Sequence, residues 1–289
     1  MKGASMLYTD FHVHSDVSGD SQASMWEMAQ AEAAAGVGIM CFTNHCDLFR
    51  WQDDLPNPRC REISGESAEK LRAMAAAHSL PLEVRLGIEL GEGHRDPALA
   101  EALAADGALD FVLGSLHLIP GHGDLYFQHY SSQEQCQRFF DLYLDELLQI
   151  APLDFYDVLA HVGYGRRYMW RDGIDAALTL ERFGEKIERL LRTVIDKGKG
   201  LEINCSGIRD GCGPFPSEEI LRLYRALGGE TVTVGSDAHR PEDAAKGIRE
   251  GYAVLRRCGF DYVTVFRRRK PERIKLIQTE ENENDRYRL

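Results

Sequence analysis

Short apolar runs alternate along the chain with longer stretches of helical period. This alternation is typical of repeated βα units around a parallel sheet. An eighth β-like run, 262–266, comes last, and the pattern leaves open whether it joins the sheet or packs outside it. Seven earlier runs are predicted as strands: 6–11, 38–43, 83–89, 110–114, 156–160, 200–204 and 231–235.

The stretches between the strands are predicted as helices with recognisable ends. Ser24 and Glu27 form a capping-box pattern before an alanine-rich run, which Gly36 ends. From Glu280 the sequence is so polar that a frayed tail is expected. We therefore predict one domain over 1–278 and a polar tail over 279–289. The other predicted helices are 66–78, 97–105, 133–150, 176–197, 217–227 and 241–258.

Composition narrows the class of protein. A chain of 289 residues can form one α/β barrel or two ordinary domains, and the alternation favours the barrel. A net charge of −12 argues against nucleic acid as a partner, because neutralising phosphates requires clustered cations. Seven cysteines without a CxxC pair indicate neither a disulfide framework nor a zinc ribbon. With no signal-like N-terminus and no long apolar run, we expect a cytoplasmic protein without membrane contact.

Metal-binding side chains stand at the ends of the predicted strands. Residues two apart in a strand face the same side, so His12 and His14 both point to the mouth of a barrel. One such histidine alone is more often structural, but a recurrence at the same end of six strands favours a shared site. Imidazole and carboxylate ligands together suit Zn, Mn or Fe, which predicts a multinuclear metallohydrolase. The remaining candidates are His45, Glu89, His117, His161, Asp237 and His239.

Glu89 is the candidate for a bridging ligand. It follows an apolar run, where an ionised carboxylate is costly unless cations satisfy it. Its two oxygens can contact two cations at once. The alternative is a glutamate that reaches solvent at a strand edge.

The motifs HVHSDVSGD, TNHCD, GIELG, GSLH, AHVGYGRR, EINCSGIR and GSDAH resemble, in this order, those of the polymerase and histidinol phosphatase (PHP) superfamily. The closing GFDYVTVFRRRKP resembles the end of its histidinol-phosphatase branch, so the resemblance covers nearly the whole chain. It implies a distorted, TIM-like (β/α)7 barrel. It also implies three divalent transition-metal ions, Zn, Mn or Fe, at the C-terminal ends of the strands.

The resemblance further implies three overlapping sets of metal ligands. In the loop after the first strand, Asp16 is an alternative to Asp20. The first set is His12, His14, Glu89 and Asp237, the second is Glu89, His117 and His161, and the third is Asp20, His45 and His239.

Two arginines beyond strand ends are candidates for binding substrate phosphate, because the planar guanidinium fork suits phosphate oxygens. They are Arg166, with Arg167 as its alternative, and Arg209. The Arg209 motif resembles a histidinol-phosphatase pattern whose arginine contacts phosphate. It carries Cys205 where threonine is usual and Ile208 for leucine, which leaves the shape of the substrate open.

These features predict a metal-dependent phosphomonoesterase with a small phosphorylated substrate, L-histidinol phosphate. A metal-coordinated water, His239 or Asp16 would protonate the leaving alkoxide. The alternatives are another phosphomonoester, or a nuclease or phosphodiesterase, which would need a basic groove and stacking aromatics. A silent metal-binding module would have lost ligands, and a deaminase-type barrel would need an eighth strand and a bridging lysine. The oligomeric state is open.

Overall fold

The computed structural model describes residues 8–79 and 82–276. Residues 6 and 7 of the first predicted strand and the predicted tail lie outside the described residues. The strands are β1 (Tyr8–Val13), β2 (Val37–His45), β3 (Glu83–Gly91), β4 (Phe111–Ser115), β5 (Leu118–Ile119), β6 (Gly123–Asp124), β7 (Val158–Leu159), β8 (Gly200–Asn204), β9 (Val232–Gly235), β10 (Tyr262–Arg267) and β11 (Lys270–Lys275). The helices are α1 (Met25–Ala34), α2 (Cys60–Ala77), α3 (Pro97–Ala104), α4 (Gln133–Ile150), α5 (Arg166–Arg171), α6 (Leu180–Asp196), α7 (Ser206–Arg209), α8 (Glu218–Ala226) and α9 (Ile248–Arg257).

Seven strands form a parallel sheet in the order β1, β2, β3, β4, β7, β8, β9. Neighbours follow chain order because each parallel connection crosses over through the outer layer. The sheet curls until its two edges meet, where the N–H of Asp237 donates to the carbonyl of His12 at 2.8 Å. The N–H of His14 donates to the carbonyl of Ala238 at 2.9 Å. The predicted seven-stranded barrel is therefore confirmed, and the sheet is nearly closed.

Amphipathic helices cover the barrel. The apolar residues of α6 recur three and four apart, so they share the face that packs on the strands. The predicted helix 133–150 has the observed bounds of α4. The helix predicted over 241–258 is instead broken, because Gly247 has φ of +82° and α9 begins only after it. α2 begins at Cys60, six residues before the predicted start at 66.

The inside of the barrel has an apolar layer towards the N-terminal ends of the strands. Phe11, Cys41, Phe111 and Val158 are buried there in one cluster. Register places Glu89 next to His45 further along the strands, on the same inward face. The candidate ligands are therefore separated from the N-terminal end of the barrel by this apolar layer.

The eighth β-like run does not join the parallel sheet. β10 pairs with β11 in an antiparallel hairpin. The Phe266 ring lies 5.0 Å from that of Phe111, so the hairpin closes the apolar end of the barrel. In the turn, Arg268 and Arg269 have φ of +49° and +61°, as a two-residue type I′ turn requires. The parallel sheet of the described residues thus keeps seven strands.

None of the helices within 8–79 and 82–276 combines the length and apolar character needed to cross a membrane.

Candidate metal centre

The first predicted ligand set comes together at the C-terminal ends of β1, β3 and β9. Nε2 of His12 lies 3.2 Å from Oε2 of Glu89 and 3.6 Å from Oδ1 of Asp237. Nε2 of His14 lies 3.6 Å and 3.4 Å from the same two oxygens. The four side chains, which come from both ends of the chain, thus face one small space.

The second predicted set shares Glu89. Its other oxygen, Oε1, lies 3.1 Å from Nε2 of His117 and 2.8 Å from Nε2 of His161. Both rings are buried. Glu89 therefore has one oxygen towards each of the two sets, which is the arrangement that a bridging carboxylate requires.

The third predicted set lies nearer the solvent. Oδ2 of Asp20 is 3.5 Å from Nε2 of His45 and 3.1 Å from Nε2 of His239. The two ring nitrogens are 3.4 Å apart. The side chains of Asp20 and His239 are 37% and 26% exposed, whereas that of Glu89 is 1% exposed.

Several buried polar atoms of this cluster lack hydrogen-bond partners within the described part of the chain, as metal ligands do when no metal is present. Buried polar groups in proteins almost always have hydrogen-bond partners, because an unpaired one is costly. Where ring nitrogens and a carboxylate oxygen face each other with their lone pairs, a cation between them can satisfy all of these atoms. Among the described residues, buried side-chain atoms without a hydrogen-bond partner include Nε2 of His12 and His14, Nδ1 of His45 and Oε2 of Glu89.

The charges of the cluster favour the metal-binding form at Glu89 and His14. At His12, His45 and His117 burial lowers the pKa, but the neighbouring carboxylates outweigh it and raise the pKa well above its usual value, so a cation bound there would displace a proton. Burial raises the pKa of Glu89, but His12, His117 and His45 outweigh it and hold the pKa well below its usual value. Burial and the neighbouring imidazoles of His239 and His45 lower the pKa of His14 well below its usual value. Carboxylate and neutral imidazole are the ligand forms that these side chains present to a cation.

Residues that the sequence did not single out contact the far side of the histidine rings. A hydrogen bond to the second ring nitrogen fixes which nitrogen faces a metal. The contacts are His12 Nδ1 to Glu202 Oε1 at 2.7 Å, His14 Nδ1 to Ser18 Oγ at 2.9 Å, and His117 Nδ1 to Asp47 Oδ1 at 2.7 Å.

Glu92 holds the backbone of His117 and not its ring. Its Oε1 accepts hydrogen bonds from the backbone N–H of His117 at 2.6 Å and of Leu118 at 3.0 Å. Burial, with a further contribution from Asp47, raises the pKa of Glu92 to about 8. Glu92 has φ of +57°, so its side chain reaches this loop from a left-handed backbone conformation.

Seven of the nine candidate ligands line an open cavity of about 950 Å³, whereas the fully buried His12 and His14 do not. Arg209 and Arg167 are among the residues that line it, and Arg166 is not. Arg166 instead pairs with Asp175 at 2.8 Å.

Asp16 also lies away from the cluster. Its carboxylate pairs with Lys70 of α2 at 2.9 Å, and its side chain is 36% exposed. It does not line the cavity, whereas Asp20 does. Of the two loop aspartates, the structure therefore brings Asp20 to the other candidate ligands.

Aromatic residues that the sequence did not single out form the rim of the cavity. Tyr126 and Phe127, from the segment after β6, are 60% and 58% exposed. Trp170 of α5 is 42% exposed. A carboxylate, Asp124, lines the cavity beside them, and burial raises its pKa. The loop 118–132 thus shapes the cavity, as its position after β4 indicates.

The family model described as PHP domain matches residues 10–206, which contain most of the candidate ligands. The chain belongs to the PHP domain family. The resemblance inferred from the motifs is therefore confirmed. The sequence is 24% identical over 265 residues to a histidinol-phosphatase of Lactococcus lactis, with 90% of this chain and 95% of that protein covered.

Solved structures share the PHP fold. The crystal structure of histidinol phosphate phosphatase from Lactococcus lactis, complexed with zinc, L-histidinol and phosphate, superposes with a TM-score of 0.74 at 23% identity. The match covers 93% of this chain and 100% of that one. A structure from Listeria monocytogenes gives a TM-score of 0.67 at 17% identity, covering 84% of this chain and 99% of that one. These likenesses support the distorted barrel.

Proposed function

We propose that this PHP protein is a metal-dependent phosphomonoesterase whose substrate is L-histidinol phosphate. The observation that carries the proposal is the convergence of nine side chains in one cluster, seven of which line the cavity, and in which Glu89 presents one oxygen to each of two histidine pairs. Divalent ions held there would neutralise the charge of a phosphate group and supply an activated water nucleophile. The likeness to the Lactococcus lactis protein supports the choice of substrate.

The metal ligands are proposed as the three sets inferred from the motifs. Nε2 of His12 and His14 face Glu89 and Asp237, and Nε2 of His117 and His161 face the other oxygen of Glu89. His45, Asp20 and His239 form the third set. Zn, Mn and Fe all suit this donor set of imidazole and carboxylate.

Arg167 and Arg209 are proposed to bind the phosphate. Arg167 forms an ion pair with Asp210 at 2.5 Å, which holds its guanidinium beside the cavity. Nη1 of Arg209 donates to the carbonyl of Ser236 at 3.3 Å, close to Asp237. Both guanidinium groups keep further N–H donors that phosphate oxygens can accept.

The cavity also has room for the alcohol that is released. Tyr126, Phe127 and Asp124 line its outer part, where a planar ring or a cationic leaving group would find an aromatic or carboxylate partner. His239 belongs to the third set, so we propose its Nε2 as a metal ligand and not as the donor of the proton that the leaving oxygen needs. Asp16 is not proposed for this step, because it faces Lys70.

The test is phosphate release from a panel of substrates by protein reconstituted with Zn or Mn. The panel contains L-histidinol phosphate, several other small phosphomonoesters and a phosphodiester. We expect the highest kcat/KM for L-histidinol phosphate and at least about tenfold lower values for the others. Preference for another phosphomonoester would overturn the substrate, and preference for the phosphodiester would overturn the reaction class.

A further inference from the structure

Glu202 lies inside the barrel, in β8, and its side chain is 1% exposed. Its two oxygens have different partners. Oε1 is 2.7 Å from Nδ1 of His12, which belongs to the first ligand set. Oε2 accepts a hydrogen bond from the backbone N–H of His161 at 2.8 Å, and His161 belongs to the second set. One buried carboxylate therefore contacts a member of each of the two buried sets.

Two neighbours hold Glu202 in this position. Nδ2 of Asn204 lies 3.3 Å from Oε2 of Glu202 and 3.4 Å from Oδ2 of Asp237, so it links Glu202 to a further member of the first set. A Cβ at position 235 would lie 2.4 Å from Oε1 of Glu202. Gly235 is thus needed for the carboxylate to reach His12.

The two contacts have different physical effects. At Nδ1 of His12, a carboxylate acceptor keeps the proton on that nitrogen and leaves the lone pair of Nε2 for the site. At His161, the acceptor holds a residue whose φ of +28° is unfavourable for a side chain with a Cβ. A shift of Glu202 would therefore disturb both imidazoles.

We infer that Glu202 is a positioning residue that couples the first and second ligand sets, so that the two buried metal ions are bound or lost together. This inference rests on the proposed function, because it requires that the cluster binds metal ions. It does not involve the third set, since neither oxygen of Glu202 contacts Asp20, His45 or His239 among the contacts described.

The test compares Zn binding to wild type and Glu202→Gln, measured by competition with a chromophoric chelator and by metal analysis. A glutamine cannot accept from both partners, because one of its two terminal groups is a donor. We expect the affinity for two Zn equivalents to fall together by about 10- to 100-fold, and that for the most exposed equivalent to stay within about twofold. Unchanged binding of the two equivalents, or loss of only one of them, would overturn the inference.

Two further variants keep the experiment interpretable. Glu202→Asp retains the charge but is one methylene too short to reach both partners, so we expect it to behave like Glu202→Gln; wild-type binding by this variant would contradict the inference. Asp157→Asn changes a buried carboxylate that pairs with Arg269 at the opposite end of the barrel, and it should leave Zn affinity unchanged. If wild type binds no Zn, the proposed function itself fails, which is a different result.

Discussion

Oδ1 of Asp47 lies 2.7 Å from Nδ1 of His117, while Nε2 of the same ring lies 3.1 Å from Oε1 of Glu89. The imidazole is therefore held between two carboxylates, one on each ring nitrogen. Removing the outer one by Asp47→Ala should let the ring turn and weaken metal binding to the second set by about 10- to 100-fold. Metal analysis after dialysis measures this loss.

Asp47→Asn is the matched control for this change. Its amide oxygen can still accept from Nδ1 of His117, so we expect a smaller loss of metal than in Asp47→Ala. Equal metal content in Asp47→Ala and wild type would contradict the orienting role of Asp47.

Exposure predicts the order in which metal ions leave. The side chains of Asp20 and His239 are 37% and 26% exposed, whereas those of His12 and Glu89 are 0% and 1% exposed. A chelator should therefore remove one equivalent of metal at least about tenfold faster than the others, because access precedes ligand exchange. A time course of metal content in excess chelator tests this, and simultaneous loss of all equivalents would contradict it.

Arg167 and Arg209, the two arginines proposed to bind the phosphate, should matter for substrate binding, and Arg166 should not. A hydrogen bond to a charged group is worth about 1.5–3 kcal/mol, so Arg167→Ala and Arg209→Ala should each lower kcat/KM by about 10- to 150-fold. Arg166→Ala, which removes a surface pair with Asp175, should change it less than about twofold. Steady-state kinetics with equal metal content in all four proteins measures this, and a large effect of Arg166→Ala would contradict the assignment.

Much of the fold and the candidate cluster could be predicted because strand alternation is a strict geometric rule. Residues two apart on one strand share a face, and parallel strands align their C-terminal ends, so His12, His14 and Glu89 could be brought together without coordinates. The same rule would have found Glu202. It is a charged residue in an apolar strand, the signal by which Glu89 was chosen, and it faces inward beside Thr233 of β9.

The other features of the site and the fold depend on three-dimensional geometry that cannot be inferred from the sequence. Arg166 and Arg167 differ by one residue, and only the start of α5 decides which of them faces the cavity. Asp16 and Asp20 lie in one loop, and the pairing of Asp16 with Lys70 depends on a distant helix. Glu92 reaches His117 from a left-handed backbone, which no local pattern predicts. β10 has the same apolar content as a barrel strand, so its antiparallel pairing with β11 was not predictable.

Glu32 should make stability depend on pH. Burial raises its pKa well above the usual value, and the nearby carboxyl of Asp10 raises it further; Oε1 of Glu32 accepts from the N–H of Ala245 at 3.0 Å. Because the folded state holds this proton more tightly, its stabilising contribution is complete below the unfolded pKa of 4.5 and is lost as pH rises through the folded pKa. Glu32→Gln keeps a hydrogen-bond donor at every pH, so it should lose less stability as pH rises.

Urea unfolding of metal-free protein at about pH 5 and about pH 8 measures this difference. We expect the free energy of unfolding to fall by at least about 1.4 kcal/mol more in wild type than in Glu32→Gln, the worth of one pKa unit. Glu101→Gln, on the exposed part of α3, should follow wild type. Equal pH dependence in Glu32→Gln and wild type would rule out a raised pKa at Glu32.

Arg269 should be the main anchor of the hairpin that closes the barrel. Its guanidinium pairs with Asp157 and donates to the carbonyls of Ala104 at 2.7 Å and Phe155 at 2.9 Å. Arg269→Ala would leave the buried Asp157 carboxylate without this partner, at a cost of about 3 kcal/mol in the free energy of unfolding. Arg268→Ala, one residue earlier and exposed, should cost less than about 0.5 kcal/mol. Denaturant unfolding compares the two, and similar losses would contradict the anchoring role.

The position of the candidate metal centre at the seam between β1 and β9 would also affect how stable the protein is in the cell. His12 and Asp237 stand on opposite sides of this seam, and their own backbones are joined across it. A cation shared by these two side chains would link the first and last strands of the barrel. Because it would bind only the closed barrel, it would raise the free energy needed to separate β1 from β9. Under metal starvation, the barrel would open more often at this seam, and proteases would degrade the opened protein. Intact, inactive enzyme would then not accumulate.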